Sequence, residues 1–171
     1  RDAVVRLEMV RNVDRFRTAE SALWGSVGVA PTEHHVRLRG SENVRVQIVG
    51  EGPPVLFIHG GSSSGANWAP LVAGMQRFRC LILDRPGCGL SDPYAGGSRI
   101  TDIAESEALA DELIVDVLDG LGLDRAHVVS TSLGGYVALR GAATHPDRVG
   151  RMVQFAWTMG APIGTTPSTM R

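Results

Sequence analysis

The sequence is short of cysteine, of unbalanced charge and of long apolar runs, and each shortage excludes a class of protein. Two cysteines, Cys80 and Cys88, in 171 residues make no disulfide framework, so a reducing compartment, the cytoplasm, is expected. Neither has a further Cys or His at ligand spacing, so they read as a buried strand residue and a loop residue, and no metal is expected. Lys and Arg number 17 against 18 Asp and Glu, leaving a net charge of -1 and no basic footprint for a nucleic acid. No apolar stretch approaches the roughly 20 residues that span a bilayer, so no membrane partner is expected. There is also no periodic repeat.

What is present is the composition of a folded domain. At 43% hydrophobic and 20% charged the chain is too apolar for disorder, and 21 Gly with 9 Pro imply many tight turns between regular elements. Apolar positions Val4, Val5, Leu7, Val10, Val13 and Phe16, then Ala19, Ala22 and Leu23, recur at three and four, predicting an amphipathic helix that ends near Trp24-Gly25. Residues 1–30 are therefore expected to form a helical leader docked on a main domain over 31–171. Alternation in Val36–Arg39 and Val44–Ile48, around a Gly40–Asn43 turn, predicts an antiparallel hairpin exposed on one face, with His34-His35 solvated before it. Val55–Ile58, Cys80–Leu83, Ala126–Val129 and Val149–Phe155 are apolar on both faces. Helical patterns near 68–77, over 103–121 and over 133–145 separate them. Strand and helix in this rhythm predict an α/β fold with a mostly parallel, doubly wound sheet.

In such sheets function sits beyond the carboxyl ends of the strands. After the first buried strand stands His59-Gly60-Gly61; after the second, Asp84-Arg85-Pro86-Gly87-Cys88-Gly89-Leu90-Ser91-Asp92; after the third, Ser130-Thr131-Ser132-Leu133-Gly134-Gly135. A serine on a tight strand-to-helix turn needs small residues two before and two after it. Ser130, where glycine is usual, and Gly134 meet that need for Ser132. The helix beginning at Leu133 would offer free N–H groups and partial positive charge to an oxyanion. Gly60 and Gly61 let a second backbone N–H face the cleft, and His59 is expected to position this loop. Trp68 either lines a pocket or packs the first helix.

The three segments in this order resemble the first half of an α/β-hydrolase fold protein over residues 36–157. The resemblance implies Ser132 as nucleophile and the N–H groups of Leu133 and Gly61 as the oxyanion hole, with a small-molecule substrate and no cofactor. The stretch from Asp84 to Asp92 is similar to a loop of capped members: haloalkane dehalogenases, epoxide hydrolases, carbon–carbon bond hydrolases and esterases. The first two use a carboxylate nucleophile, and a serine at position 132 disfavours both. The family's triad continues with an acid and then a histidine. After Ser132 this chain has only Asp147 and His145, which flank Pro146 at a helix end and read as structural. The expectation is an N-terminal portion of a serine hydrolase acting on an ester or a carbon–carbon bond, inactive alone, with later strands and cap lying beyond these residues. The alternative is a non-catalytic binding or interaction module of the same fold. The tail Gly160–Pro167 is expected to be a flexible exit from the last strand. Gly-Ser-rich 60–65 lacks the Lys of a P-loop, and no glycine cluster completes a dinucleotide fingerprint.

Overall fold

The computed structural model describes residues 2–94 and 103–156. Helix α1 spans Asp2–Ser26. It stops where Gly28 takes φ +71° and the Val29 N–H reaches back to the Trp24 carbonyl at 3.1 Å, a left-handed stop that glycine adopts without cost. Strands β1 (Thr32–Arg37) and β2 (Asn43–Val49) form an antiparallel hairpin, with Thr32 opposite Ile48 and Arg37 opposite Asn43. β1 lies further toward the N-terminus than the alternation indicated, so His34 and His35 sit inside it, both exposed.

Strands β3 (Pro54–Ile58), β4 (Arg79–Leu83), β5 (Ala126–Thr131) and β6 (Val149–Phe155) are mutually parallel, and the sheet runs β1-β2-β4-β3-β5-β6. Side-chain alternation divides each central strand between two cores. Leu56, Ile58, Leu81, Leu83 and Val128 face helices α3 (Ile103–Gly120) and α4 (Leu133–Thr144). Val55, Phe57, Cys80, Ile82 and Val129 face Trp24 of α1 and the Trp68–Val72 segment. That double coverage is why these strands read as continuous apolar runs.

Three expectations need correction. Strand β6, expected to be apolar on both faces, exposes Arg151, Val153 and Phe155 along one of them. The hairpin is not exposed on one face throughout: β1 is mostly exposed, but every residue of β2 from Val44 to Val49 is buried, including Arg45 and Gln47, because polar residues of α1 cover that side. The helix expected near 68–77 is a 3-10 turn over Gly65–Trp68 followed by a single-turn helix α2, Ala69–Val72. Turn bonds from the N–H groups of Gly74 to Leu71 and Met75 to Val72 close it early. The tail at 160–167 lies outside the described residues. Because β3 sits between β4 and β5, the loops leaving all three strands meet at one end of the sheet.

Candidate active site

Ser132 stands alone between β5 and α4 with φ +49° and ψ -123°. A side chain clashes with the backbone in that region, so a serine persists there only when its surroundings hold it. The Ser132 carbonyl accepts the Gly135 N–H at 2.8 Å. A Cβ on Gly134 would lie 2.7 Å from the His59 carbonyl oxygen and closer still to that of Ile58, so only glycine lets α4 start this near β3. A Cβ on Gly60 would lie 3.1 Å from the Ser132 Cβ. The structure thus brings Gly60 and Ser132 together, and of the two loop glycines it is Gly60 that close approach demands; Gly61 has open space around it. Ser130 is fully buried, and its Oγ has no hydrogen-bond partner among the described residues. Ser132 and Leu133 are exposed. The N–H groups of Gly61 and Leu133 make no hydrogen bond among the described residues.

His59 is buried with both ring nitrogens engaged. The Arg85 main-chain N–H donates to Nε2 at 3.1 Å, so the ring proton sits on Nδ1 and is donated to the Gly60 carbonyl at 2.7 Å. Burial, then the neighbouring Arg85 guanidinium, holds its pKa below the ordinary histidine value. A neutral ring with no free nitrogen is poorly placed to serve as a base.

A second group of residues joins Asp84, the first residue of the motif after β4, to residues that no motif singled out. Arg45, with no exposed surface, donates to Glu20 at 2.6 and 2.7 Å, to Asp84 at 2.6 and 2.9 Å and to Glu33 at 3.3 Å. Asp84 also accepts the N–H groups of Gly65 at 2.7 Å and Leu90 at 3.0 Å. One buried carboxylate therefore ties the loop after β3 to the loop after β4. Gly89, at φ +55°, passes so close to that carboxylate that no Cβ could fit. The sequence signals for this group were Asp84 at the head of its motif and a charged residue in the middle of β2.

An open cavity of about 400 Å³ adjoins the turn, lined by His59, Asn67, Trp68, Leu71, Thr131 and Phe155. Trp68 lines this cavity and packs on Phe57 of β3, ring centroids 5.5 Å apart. His145 pairs with Glu112 at 3.2 Å beyond the far end of α4, and Asp147 follows it; neither is brought to Ser132. Among the described residues no group of His, Cys, Asp or Glu could hold a metal ion, and no helix is long and apolar enough to cross a membrane.

Residues 53–156 match the family model described as alpha/beta hydrolase fold. The chain belongs to this family. Among curated relatives, a 2-hydroxy-6-oxononadienedioate/2-hydroxy-6-oxononatrienedioate hydrolase of Paraburkholderia phymatum is 33% identical over 147 residues, covering 81% of this chain and 49% of that protein. A 2-hydroxy-6-oxo-6-phenylhexa-2,4-dienoate hydrolase of Comamonas testosteroni is 32% identical over 110 residues, covering 61% and 36%. Among solved structures, a carboxylesterase from Bacillus subtilis superposes with a TM-score of 0.72 at 28% identity, covering 85% of this chain and 50% of that one. The chain thus spans about half the length, or less, of the relatives it matches.

Proposed function

We propose that these residues carry the nucleophile and oxyanion-binding half of a serine hydrolase that cleaves a carboxylic ester through an acyl-enzyme at Ser132. The observation that carries this is the serine's own backbone: φ +49° at a strand-to-helix junction, maintained against its steric cost. In this reading a base takes the Oγ proton as Oγ attacks the ester carbonyl carbon. The carbonyl oxygen becomes an oxyanion facing the N–H groups of Gly61 and Leu133. Collapse breaks the carbon–oxygen bond, the alcohol leaves with a proton, and water then releases the acid from Ser132. The same attack on a ketone would break a carbon–carbon bond, the leaving carbon departing with the bonding pair as a carbanion stabilised by an adjoining conjugated system and taking up the proton from the base. The dienoate names of the relatives favour that variant, since the compounds named are ketones without an ester. The cavity beside Trp68 suits an apolar part of a small substrate.

Among the described residues none is placed to serve as the base for Ser132. After Ser132 the sequence has one histidine and one acidic residue, beyond the far end of a 12-residue helix about 18 Å long. The 171 residues on their own are therefore expected to show no turnover. A second reading rests on Ser130, which stands where glycine is usual in a nucleophile turn: a non-catalytic module of this fold that binds small molecules or partners. A fluorophosphonate probe separates the two. It is expected to label Ser132 in the native gene product, and Ser132→Ala to abolish labelling. An unlabelled native protein supports the binding module, and labelling that survives in the alanine variant refutes the assignment.

A further inference from the structure

We propose that Arg85 is the positioning residue of the oxyanion hole, holding the Gly61 N–H toward the substrate; the inference rests on the serine-hydrolase reading above. The Gly60–Gly61 peptide is planar, so its carbonyl and its N–H point in opposite directions. Whatever fixes one fixes the other. The Arg85 Nη2 donates to the Gly60 carbonyl at 2.6 Å, and His59 Nδ1 donates to the same oxygen at 2.7 Å. Arg85 Nε holds the His59 carbonyl at 3.0 Å. The two carbonyls leading into the candidate hole are thus drawn to one buried guanidinium, which leaves the Gly61 N–H on the other side of its peptide.

Such a restraint is needed there. Two consecutive glycines have little steric preference, and open space surrounds Gly61, so packing does not stop this peptide from rotating. A rotated peptide would present a carbonyl oxygen to a developing oxyanion and repel it. Arg85 is only 4% exposed and forms no ion pair among the described residues; besides a long contact to Cys88 Sγ, its side chain bonds main-chain carbonyls alone. Burying a guanidinium without a carboxylate is costly, and charge-assisted bonds to these carbonyls are what the side chain returns for it. His59 completes the device: its second nitrogen accepts the Arg85 main-chain N–H, so each residue fixes the other.

The test compares Arg85→Met and Arg85→Lys with the native gene product, reading kcat and KM on a short-chain 4-nitrophenyl ester and the rate of fluorophosphonate labelling. Losing one oxyanion donor costs about 100- to 1,000-fold in kcat. Arg85→Met is expected to lose about 100-fold in kcat and in labelling rate, with KM within about twofold, and Arg85→Lys, which can reach one carbonyl but not both, to recover part of the loss. Arg85→Lys is the decisive variant if Arg85→Met does not fold. A folded Arg85→Lys protein with wild-type kcat and labelling rate overturns the inference alone. So does a loss confined to KM. A native protein that fails to label at all overturns the serine-hydrolase reading and this inference with it.

Discussion

The Ser132 main-chain N–H donates to the carbonyl oxygen of Phe155 at 3.1 Å, so the turn between β5 and α4 is fastened to the end of β6 as well. Glycine adopts positive φ freely, whereas a non-glycine residue held in a sparsely populated region costs about 1–3 kcal/mol. Ser132→Gly is therefore expected to raise unfolding stability by about 1 kcal/mol or more while removing the nucleophile, and Ser132→Ala, which keeps the Cβ, to raise it little. Urea unfolding of both variants measures this. Equal stability of the two would show that the turn stores no strain.

Ser130 offers a second stability test. Its buried hydroxyl has no partner among the described residues, and an unsatisfied buried polar group costs about 1–3 kcal/mol. Ser130→Ala should leave stability unchanged or raise it by about 1 kcal/mol, and Ser130→Val should lower it by overpacking the sheet face that Val128 and Ile58 present to α3 and α4. A clear loss in the alanine variant, seen as a lower urea midpoint at constant slope, would mean that the hydroxyl has a partner after all.

Removing the cation of Arg45 should be severe. Arg45→Met leaves Glu20 and Asp84 buried without their counter-charge, and breaking a buried pair by deleting one partner typically costs about 3–5 kcal/mol. Calorimetric or urea unfolding reads the loss. A cost below about 1 kcal/mol, the range of surface pairs, would show that water reaches the cluster.

His59 makes stability depend on pH. Its folded-state pKa lies below the ordinary value of 6.5, so the folded protein binds fewer protons than the unfolded chain. The stabilisation is complete above about pH 6.5 and is lost as pH falls from there toward the folded-state value. The lowered carboxylates Glu33, Asp92 and Asp111 act only at more acidic pH. The urea midpoint should accordingly fall between pH 7 and pH 5, and less so in His59→Gln. A flat profile in the wild type would contradict the engaged ring.

Much of the fold was legible because burial left a period in the sequence. β3, β4 and β5 read as two-sided apolar runs, α3 kept three-and-four spacing up to Gly120, and α4 was bounded by Pro146. The small residues around Ser132 marked its turn. What did not show were relations between distant residues. Arg45 and Gln47 read as the wet face of a hairpin, because nothing in β2 reveals that Glu20 covers them from another element. Arg85 read as part of a turn, because its bonds to residues 59 and 60 exist only once β3 and β4 lie side by side. Period reports which side of an element is covered, and says little about polar groups that cover one another.

The Arg45 cluster also sets an order of events during synthesis. Its members lie at positions 20, 33, 45 and 84, so the first carboxylate leaves the ribosome 64 residues (84 minus 20) ahead of the last. At about 5–20 residues per second that is a delay of several seconds. Until β4 and Asp84 arrive, α1 has neither a finished partner for Glu20 nor a complete surface beneath Trp24. Helix α1, made before the strands it packs on, is therefore among the later of these elements to dock, and for that interval its buried face is open to chaperones or to other nascent chains.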